Sequence, residues 1–294
     1  TLTVAQVRSA IINTADPLLF DGIDPASVLA KGAGLLAAKA ALDTQALVQP
    51  ATLGFGALNG LTLPRQQALT LRNLASQARS FTAEVVPSVA AATAAIELDG
   101  LQALNFQLGG GAQRVITVRL TGSIPAAGIY EGVVRITVSG GAPLLEVPYS
   151  FTVGDGVPYN AMVIAGDDLI GTAGEPIPEL LIVKVVDRYG QPVANEQVNF
   201  YVLDGGGAFA FDSQGQILKD NVTDPFGVAA ADVDFGPEPG FQDFGVDVGA
   251  ISIDFLNDSR AKPVIAGIVN GASFAASAPV APGSIVSIFG DNLA

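Results

Sequence analysis

Hydrophobic and polar residues follow a helical period at the start of the chain. Apolar residues recur every three or four positions, at Val4, Val7, Ile11 and Ala15. Thr3 and Gln6 have the T-x-x-Q spacing of a capping box, in which each side chain accepts a hydrogen bond from the other residue's backbone N–H. The pair Asp16-Pro17 then stops the run, because proline disfavours helix in the residue before it. The pattern predicts a helix that starts at Thr3 and ends near Ala15.

A second helix is predicted from Leu35 to Leu42, entered through two glycines. The stretch from Gly32 to Ala37 also fits the dinucleotide-binding pattern G-x-G-x-x-A. A tight helix entry is the favoured interpretation, because no strand of a βαβ unit precedes the glycines and no acidic ribose ligand follows them. Ser27 and Lys31 are spaced as in a Ser-Lys dyad, yet a helix start at Ser27 explains the serine better.

From residue 51 the hydrophobic period changes from 3.6 to 2. Alternating or β-branched segments lie between Gly, Pro and Asn turns, as in "QALTLRNL", "RSFTAEVV", "QRVITVRL", "YEGVVRITV" and "LEVPYSFTV". Six or seven short strands over about a hundred residues predict a β-sandwich. A second strand-rich unit of similar size follows residue 158, with "ELLIVKVVD", "EQVNFYVLD", "GVAAADVDF" and "FQDFGVDVGAISIDF". A third β-pattern begins after "SRAKP", but about thirty residues cannot bury a sandwich core alone.

Composition narrows the possible chemistry. The 294 residues include no Cys and no His, which excludes disulfides, the usual zinc sites and every His-dependent catalytic triad inside this chain. No apolar run approaches the roughly 18 residues that span a bilayer, so membrane insertion is not expected. The chain lacks an initiator Met and a signal region, and we expect it to be an internal piece of a longer precursor.

Charge is distributed unevenly. Residues 1–150 carry nine acidic and nine basic side chains, whereas residues 151–294 carry nineteen acidic and five basic ones. An acidic surface repels phosphate backbones, so nucleic acid is not expected as a partner, and it attracts cations such as calcium. The change in charge also indicates a domain boundary near residue 150.

Four aspartates are the candidate metal ligands. Asp232 and Asp234 are two residues apart and so project from one strand face, and Asp243 and Asp247 follow nearby. Their carboxylates suit a calcium ion if the loops converge. A solvated sheet face is the commoner explanation, because Asp alternates here with Val and Phe. Calcium is the one cofactor that the sequence suggests.

The first 45 residues resemble the closing part of a subtilisin-family serine protease domain. The resemblance rests on Val7, Arg8, Ile11, Thr14 and Ala15, followed by Gly32, Gly34, Ala40 and Leu42. It implies that the nucleophile motif and the rest of the triad lie upstream of Thr1. No catalytic residue can be assigned within this chain.

Three further resemblances follow along the chain. Residues 49–153 look like the fibronectin type III-like domain of large cell-envelope subtilases, through "PATLGFGAL", "GIYEGVVRITV" and "EVPYSFTVG". Residues 158–258 resemble a bacterial Ig-like group 1 domain of the invasin and intimin type, through "VKVVDRYGQPVANEQVNFYVLDGGGAF" and "TDPFGVAAADV". The tail "IVNGASF" to "VAPGSIVSIFGDNLA" is similar to the start of a TIG-like module.

These resemblances imply a mainly β fold class, with two Ig-like or fibronectin III-like sandwiches in tandem preceded by a short helical remnant of an α/β protease domain. The expected domains are residues 1–47 (helical remnant), 48–154 (fibronectin type III-like), 155–260 (Ig-like group 1) and 261–294 (truncated TIG-like module).

The implied function is that of a non-catalytic accessory region of a secreted subtilisin-like endopeptidase, located outside the cell or on its surface. Its expected partners are a protein substrate or an extracellular protein, together with the upstream protease domain. The alternative is an Ig-like surface adhesin or stalk module that binds a protein ligand and has no protease activity.

Overall fold

The computed structural model describes residues 2–17, 20–21, 24–139, 144–274 and 280–293. The chain divides into two compact units, here called unit 1 and unit 2. Unit 1 comprises Thr1–Asp155 with Tyr189–Gln191, and unit 2 comprises Gly156–Arg188 with Pro192–Ala294. The fold is mainly β, as the hydrophobic period predicted, and each unit contains a β-sandwich. The finer division into four domains stays a prediction.

Three helices precede the first sandwich: α1 (Val4–Asn13), α2 (Val28–Lys31) and α3 (Ala38–Asp43). The predicted capping box is present, because Thr3 N donates to Gln6 Oε1 at 2.9 Å and Gln6 N donates to Thr3 Oγ1 at 3.3 Å. The helix predicted from Leu35 begins later, at Ala38, because Leu35 is paired with Asp16 by two backbone hydrogen bonds of 2.8 and 2.9 Å.

Helix α1 buries a small, polar face against the sandwich of unit 1. Ser9 Oγ donates to Val48 O at 2.6 Å, and Asn13 Nδ2 donates to Ala51 O and Glu146 O, both at 2.8 Å. Buried carbonyl groups need hydrogen-bond donors, and these two side chains supply them. The helix is therefore attached to the sandwich by hydrogen bonds as well as by packing.

The predicted apolar stripe of α1 lies on the other side. Val4, Val7 and Ile11 are 87, 44 and 41% exposed, and Ala10 is the apolar residue of this helix that is buried. Periodicity identified the helix correctly, and its apolar stripe is largely exposed in this structure. The reason is that Ser9 and Asn13 bind backbone groups 38 or more residues away.

Unit 1 contains eleven strands among its described residues: β1 (Phe20–Asp21), β2 (Asp24–Pro25), β3 (Ala46–Gln49), β4 (Leu53–Ala57), β5 (Arg65–Asn73), β6 (Arg79–Val89), β7 (Ala94–Leu98), β8 (Ala103–Leu108), β9 (Gln113–Gly122), β10 (Gly128–Val138) and β11 (Leu145–Val153). A five-stranded sheet has the order β4-β11-β10-β6-β8, and a four-stranded sheet has the order β3-β5-β9-β7. Strands β4 and β11 pair in parallel, and the other neighbours pair antiparallel.

The core of unit 1 lies between these two sheets. Alternate residues point inward, so Phe81 and Ile136 of the five-stranded sheet pack with Leu71 and Ile116 of the four-stranded sheet. All four side chains are essentially inaccessible to water. This inward alternation is what the period of two predicted.

Unit 2 contains a second sandwich, with strands β12 (Asn160–Ala165), β13 (Ile170–Thr172), β14 (Leu181–Val186), β15 (Asn199–Asp204), β16 (Ala208–Phe209), β17 (Val228–Ala231), β18 (Val233–Asp234), β19 (Gly240–Val248) and β20 (Ile251–Arg260). One sheet has the order β12-β14-β17 and the other the order β13-β20-β19-β15, with β16 and β18 as a separate pair. The core of unit 2 lies between the first two sheets and contains Val183 and the rings of Phe200, Phe244 and Phe255.

The described end of the chain is a hairpin of β21 (Val264–Asn270) and β22 (Val286–Asp291). None of the described residues from 261 to 293 is buried. A two-stranded hairpin is at best marginally stable in water without a packed face. No described helix is long and apolar enough to cross a membrane.

Candidate functional site

A groove of about 460 Å³ lies beside β17 in unit 2, and we call it the β17 groove. Its lining combines an apolar floor with three charged residues: Leu180, Ile217, Leu218, Ala230 and Ala231 with Lys219, Asp220 and Asp232. The alanines come from the sequence "GVAAADV", and their small side chains leave depth beside the strand.

An extended segment, residues 217–220, forms one side of the groove. Asp220 N donates to Ala230 O and Asp232 N donates to Leu218 O, both at 2.8 Å. The Asp220 carboxylate accepts the Ala230 N–H at 2.8 Å, so a side chain replaces one backbone partner of β17. The segment thus runs beside β17 without forming a regular ladder, which keeps the groove open.

A tight turn places Ile217 at the rim. Asp212 Oδ1 accepts the backbone N–H groups of Gln214 and Gln216, each at 2.8 Å, and Phe211 forms a bridge with Ile217. Such Asx-type turns orient the chain locally. Phe211 is 63% exposed and Ile217 is 47% exposed, so two large apolar side chains face water at the rim of the groove.

Lys219, the lysine that lines the groove, is bound by other residues of unit 2. Lys219 Nζ donates to Phe200 O at 3.0 Å and lies 4.6 Å from the ring centroid of Phe209. Its ammonium group is therefore already occupied by a carbonyl and an aromatic face. Asp232, which is half-buried, adds a carboxylate to the lining.

The four predicted calcium ligands fall in two places. Asp232 lines the β17 groove and Asp234 belongs to β18, whereas Asp243 and Asp247 lie on β19 in the other sheet. Within the described ranges, no group of three or more acidic residues has an arrangement that could hold a metal ion. The calcium site therefore stays a sequence prediction.

Asp247 takes part in a hydrogen-bonded cluster on the outer face of its sheet. Tyr201 Oη donates to Asp247 Oδ1 at 3.1 Å, and Ser252 Oγ donates to the same oxygen at 2.7 Å. The Tyr201 ring lies over Gly245, where an added Cβ would be 2.5 Å from ring carbons. Partial burial, then the hydrogen bond and charge of Asp247, raise the pKa of Tyr201 above its ordinary value.

Asp243 lies near this cluster in an unfavourable environment. Partial burial, then the charges of Asp254 and Asp204, raise the pKa of Asp243 above its ordinary value. Its Oδ1 atom is buried and accepts no hydrogen bond among the described residues. The face is thus an acidic surface with one poorly satisfied carboxylate.

The remaining sequence motifs have structural roles. Ser27 Oγ accepts the Ala30 N–H at 3.1 Å as the cap of α2, and Lys31 Nζ donates to Pro17 O at 3.1 Å, so the two side chains act separately. Gly34 has φ of +118°, and a Cβ there would be 2.0 Å from Asp16 O. The glycine is needed for close backbone approach, as the helix-entry interpretation supposes.

Sequence reasoning missed the β17 groove. Residues 217–220 were not predicted as an extended segment, because "QILKD" lacks a period of two. The run of three alanines in β17 was the available signal, since small residues in a strand leave space beside larger neighbours. The alanines do not show which segment lies beside β17. In the structure that segment is residues 217–220, about ten positions earlier in the chain.

Comparisons with known proteins were made by sequence and by structure. No family model and no curated protein matches the chain. Solved structures match, among them the D0-D1 domain of intimin, at 16% identity over 71% of this chain and 93% of that chain, with a TM-score of 0.24. Invasin, a bacterial integrin-binding protein, matches at 15% identity over 76% and 41% of the two chains, with a TM-score of 0.29.

A further match is CBD12 from CALX1.2, at 10% identity over 68% of this chain and 78% of that chain, with a TM-score of 0.40. None of these TM-scores reaches 0.5, so the mainly β assignment rests on the strands of this chain. The structures named here are not proteases, and they give no support to a subtilisin-family origin of the first 45 residues.

Proposed function

We propose that this chain is a non-catalytic Ig-like module of an extracellular or cell-surface protein, and that it binds a protein ligand through the β17 groove. The observation that carries the proposal is the groove itself, with its apolar floor and its exposed apolar rim. Its volume of about 460 Å³ lies within the range of ordinary binding pockets.

Three exposed apolar side chains line this groove. Leu180 is 43% exposed, Ile217 is 47% exposed and Leu218 is 39% exposed, and all three line the same space. Covering apolar surface is favourable by about 25 cal/mol per Å², so a ligand that fills the groove gains affinity from each of them. Contiguous apolar surface with a polar rim is typical of protein-interaction sites.

The charge of unit 2 specifies the ligand further. Residues 151–294 carry nineteen acidic and five basic side chains, and Asp220 and Asp232 line the groove. A complementary ligand carries Lys or Arg beside an apolar anchor, since opposite charges steer association and disfavour acidic competitors. The proposed ligand is therefore a cationic segment with one large apolar side chain.

Selection from a random peptide library on the full chain tests this proposal. We expect the recovered peptides to combine an aromatic or aliphatic residue with Lys or Arg, and to bind Ile217→Glu at least tenfold more weakly. The matched control is Ile164→Glu, because Ile164 is also exposed in unit 2 but lies in β12 at the opposite edge of its sheet. Peptides that bind the Ile217 variant and the wild type equally would rule the groove out.

A second candidate is the accessory region of a secreted subtilisin-like endopeptidase, and a specific observation favours it. The segment before the sandwich exposes many large apolar residues, namely Val4, Val7 and Ile11 of α1 with Leu29, Leu35, Leu36 and Leu42. An amphipathic helix normally buries its apolar stripe. A protease domain that precedes this segment in a longer chain would supply the missing cover.

Fluorophosphonate labelling distinguishes the two candidates. The probe is applied to the natural protein extended upstream of Thr1, with the present chain as the control. Labelling of the extended protein alone supports the accessory role, because the reagent reacts with activated serines. An extended protein that folds and does not label removes this candidate and leaves the adhesin or stalk module.

A further inference from the structure

The two sandwich sheets of unit 1 end in the edge strands β4 and β8 on one sheet and β3 and β7 on the other. The outer side of an edge strand exposes backbone N–H and C=O groups that can pair with another chain. At all these edges except β8, a side chain of unit 1 hydrogen-bonds to the strand: Ser9 to Val48 of β3, Gln67 to Gly54 of β4 and Gln102 to Ile96 of β7.

Strand β8 presents an open edge. Val85 N of β6 donates to Gln102 O at 3.0 Å, just before β8 begins. Because hydrogen-bonded pairs alternate along an antiparallel ladder, Ala103, Asn105 and Gln107 direct their N–H and C=O groups away from β6. All three residues are exposed, and no residue that the structure describes hydrogen-bonds to these backbone groups.

The sequence of β8, ALNFQL, lacks the features that protect a sheet edge. It contains no charged residue and no proline, and it pairs with β6 in one continuous register. The edge strands β12 and β15 of unit 2 instead contain register shifts, and β15 ends in Asp204. Charges, prolines and bulges are the usual means by which proteins block pairing at an edge. The β8 edge is therefore able to accept a further strand.

A second copy of β8 fits this edge, because the strand is complementary to itself when reversed. With a two-fold axis at Asn105, the residues that face outward meet in matching pairs: Asn105 faces its own copy, and Ala103 faces Gln107. On the other face of the sheet, Leu104 meets Phe106, and both side chains belong to the apolar side of the strand. Apolar residues thus meet apolar residues, and no like charges are opposed.

The Asn105 side chain can also bond across this axis. Thr82 Oγ1 donates to Asn105 Oδ1 at 2.7 Å, and Asn105 Nδ2 donates to no described residue. An amide oxygen accepts two hydrogen bonds, so each Asn105 has one acceptor position and its Nδ2 donors left for the other copy.

We propose that β8 pairs antiparallel with β8 of a second copy of this chain, so that their two five-stranded sheets join into one continuous sheet around a two-fold axis. Such a contact uses the same surface on both copies and stops at a dimer. One strand pair buries little surface, so the dimer is weak, with a dissociation constant on the order of 100 µM. The pairing belongs to unit 1 and does not rest on the function proposed for unit 2.

Single cysteines test the register in the full chain, which has no cysteine of its own. In the proposed pairing the two Asn105 Cα atoms lie about 5.5 Å apart, a distance that suits a disulfide. The two Gln107 Cα atoms lie about 14 Å apart, which is too far. In a buffer with oxidised glutathione, Asn105→Cys should therefore form disulfide-linked dimers about tenfold faster than Gln107→Cys, as measured on non-reducing gels. Equal rates at the two positions would overturn the pairing.

Lysine substitutions test the dimer without a crosslink. Asn105→Lys opposes two like charges across the axis and should weaken the dimer about tenfold in sedimentation equilibrium. Thr137→Lys is the matched control and should leave the dissociation constant unchanged, because Thr137 lies in the same row of the sheet but on β10, two strands from the edge. Equal constants for the two variants would overturn the proposal. So would wild-type protein that stays monomeric at about 1 mM, ten times the expected constant, which would leave the edge to a strand of another protein.

Discussion

The two sandwiches each place a tyrosine over a glycine, in opposite environments. In unit 1, Tyr149 covers Gly132 inside the core, and its hydroxyl lacks a partner among the described residues. In unit 2, Tyr201 covers Gly245 on the outer face, and its hydroxyl donates to Asp247. The same steric requirement therefore produces a core contact in one unit and a hydrogen-bonded surface cluster in the other. The residues around each Tyr–Gly pair therefore decide whether the tyrosine hydroxyl has a hydrogen-bond partner.

Carboxylates show the same contrast between the units. Asp99 of unit 1 accepts hydrogen bonds from Thr117 N and Arg114 Nη2, both at 2.8 Å. Partial burial alone would raise the pKa of Asp99, but these two donors and the charge of Arg114 lower it below its ordinary value. Asp243 of unit 2 faces other carboxylates, and its pKa is raised. Equal numbers of acidic and basic residues allow pairing in the first half of the chain, and the acidic excess limits it in the second, where Lys262 still pairs with Glu175.

The largest expected effect comes from the two aromatic cores. Phe81 of unit 1 and Phe244 of unit 2 are both fully buried, and replacing either by alanine should cost about 3–5 kcal/mol of unfolding free energy through lost burial and a cavity. Chemical denaturation measures the loss, and hydrogen exchange locates it. Phe211→Ala, at an exposed site, serves as the control and should change stability by less than about 0.5 kcal/mol. A loss below 1 kcal/mol at either core site would show that its sandwich is not packed as described.

The two glycines should differ in their tolerance of alanine. Gly132→Ala should cost about 2–3 kcal/mol, because its new Cβ meets the backbone oxygen of Val86, which cannot swing away. Gly245→Ala should cost about 1 kcal/mol, because only the half-buried side chain of Tyr201 must move. Thermal or urea unfolding measures both.

Gly54→Ala is the matched strand control, since a Cβ there meets no atom within 4 Å. Equal losses at Gly132 and Gly245 would remove the distinction between the buried and the surface pair.

A smaller effect is expected at Asp99. Its lowered pKa means that the ionised form stabilises unit 1 above the ordinary value of 3.8, and that this stabilisation disappears as the pH falls through the lowered value. Asp99→Asn should therefore cost about 0.5–1 kcal/mol at neutral pH, a modest loss because water screens this partly exposed pair. Urea unfolding at neutral and acidic pH should show that the difference in unfolding free energy between wild type and variant disappears on acidification. A difference that is independent of pH would contradict the charge pairing.

The opposite sign, and the smallest effect, is expected at Asp243. Because its pKa is raised, the ionised carboxylate destabilises unit 2 at neutral pH and this penalty disappears on acidification. Asp243→Asn should stabilise the protein by about 0.5 kcal/mol at neutral pH, as expected for removing repulsion between neighbouring strands. Glu179→Gln removes the same charge at an exposed site and controls for net charge. Equal stabilisation by both variants would assign the effect to net charge and not to the cluster.

Local sequence signals predicted local structure well. The Thr3 and Gln6 capping box is present, and the period of two identified strands whose inward residues form both cores. These features involve residues within a few positions of one another, and their spacing is visible in the sequence. The second helix was displaced toward the C-terminus because Leu35 pairs with Asp16, which is nineteen positions away.

Long-range partners explain what the sequence could not show. The buried face of α1 is polar because Asn13 binds the backbone of Glu146, 133 positions away, while the apolar stripe stays exposed. The β17 groove also joins segments that are distant in sequence, since Leu180 and residues 217–220 line it together with β17. No periodicity within one segment reports which other segment will lie opposite.

The sequence by itself determined the mainly β class, the capped helix at the start and the acidic second half, because strand alternation, capping and charge depend on residue type and short spacing. Only the tertiary structure decided which face of α1 is buried, which tyrosine has a partner and which carboxylate is repelled. Those outcomes depend on burial and on the distances between atoms of remote segments, and both arise only when the sheets pack.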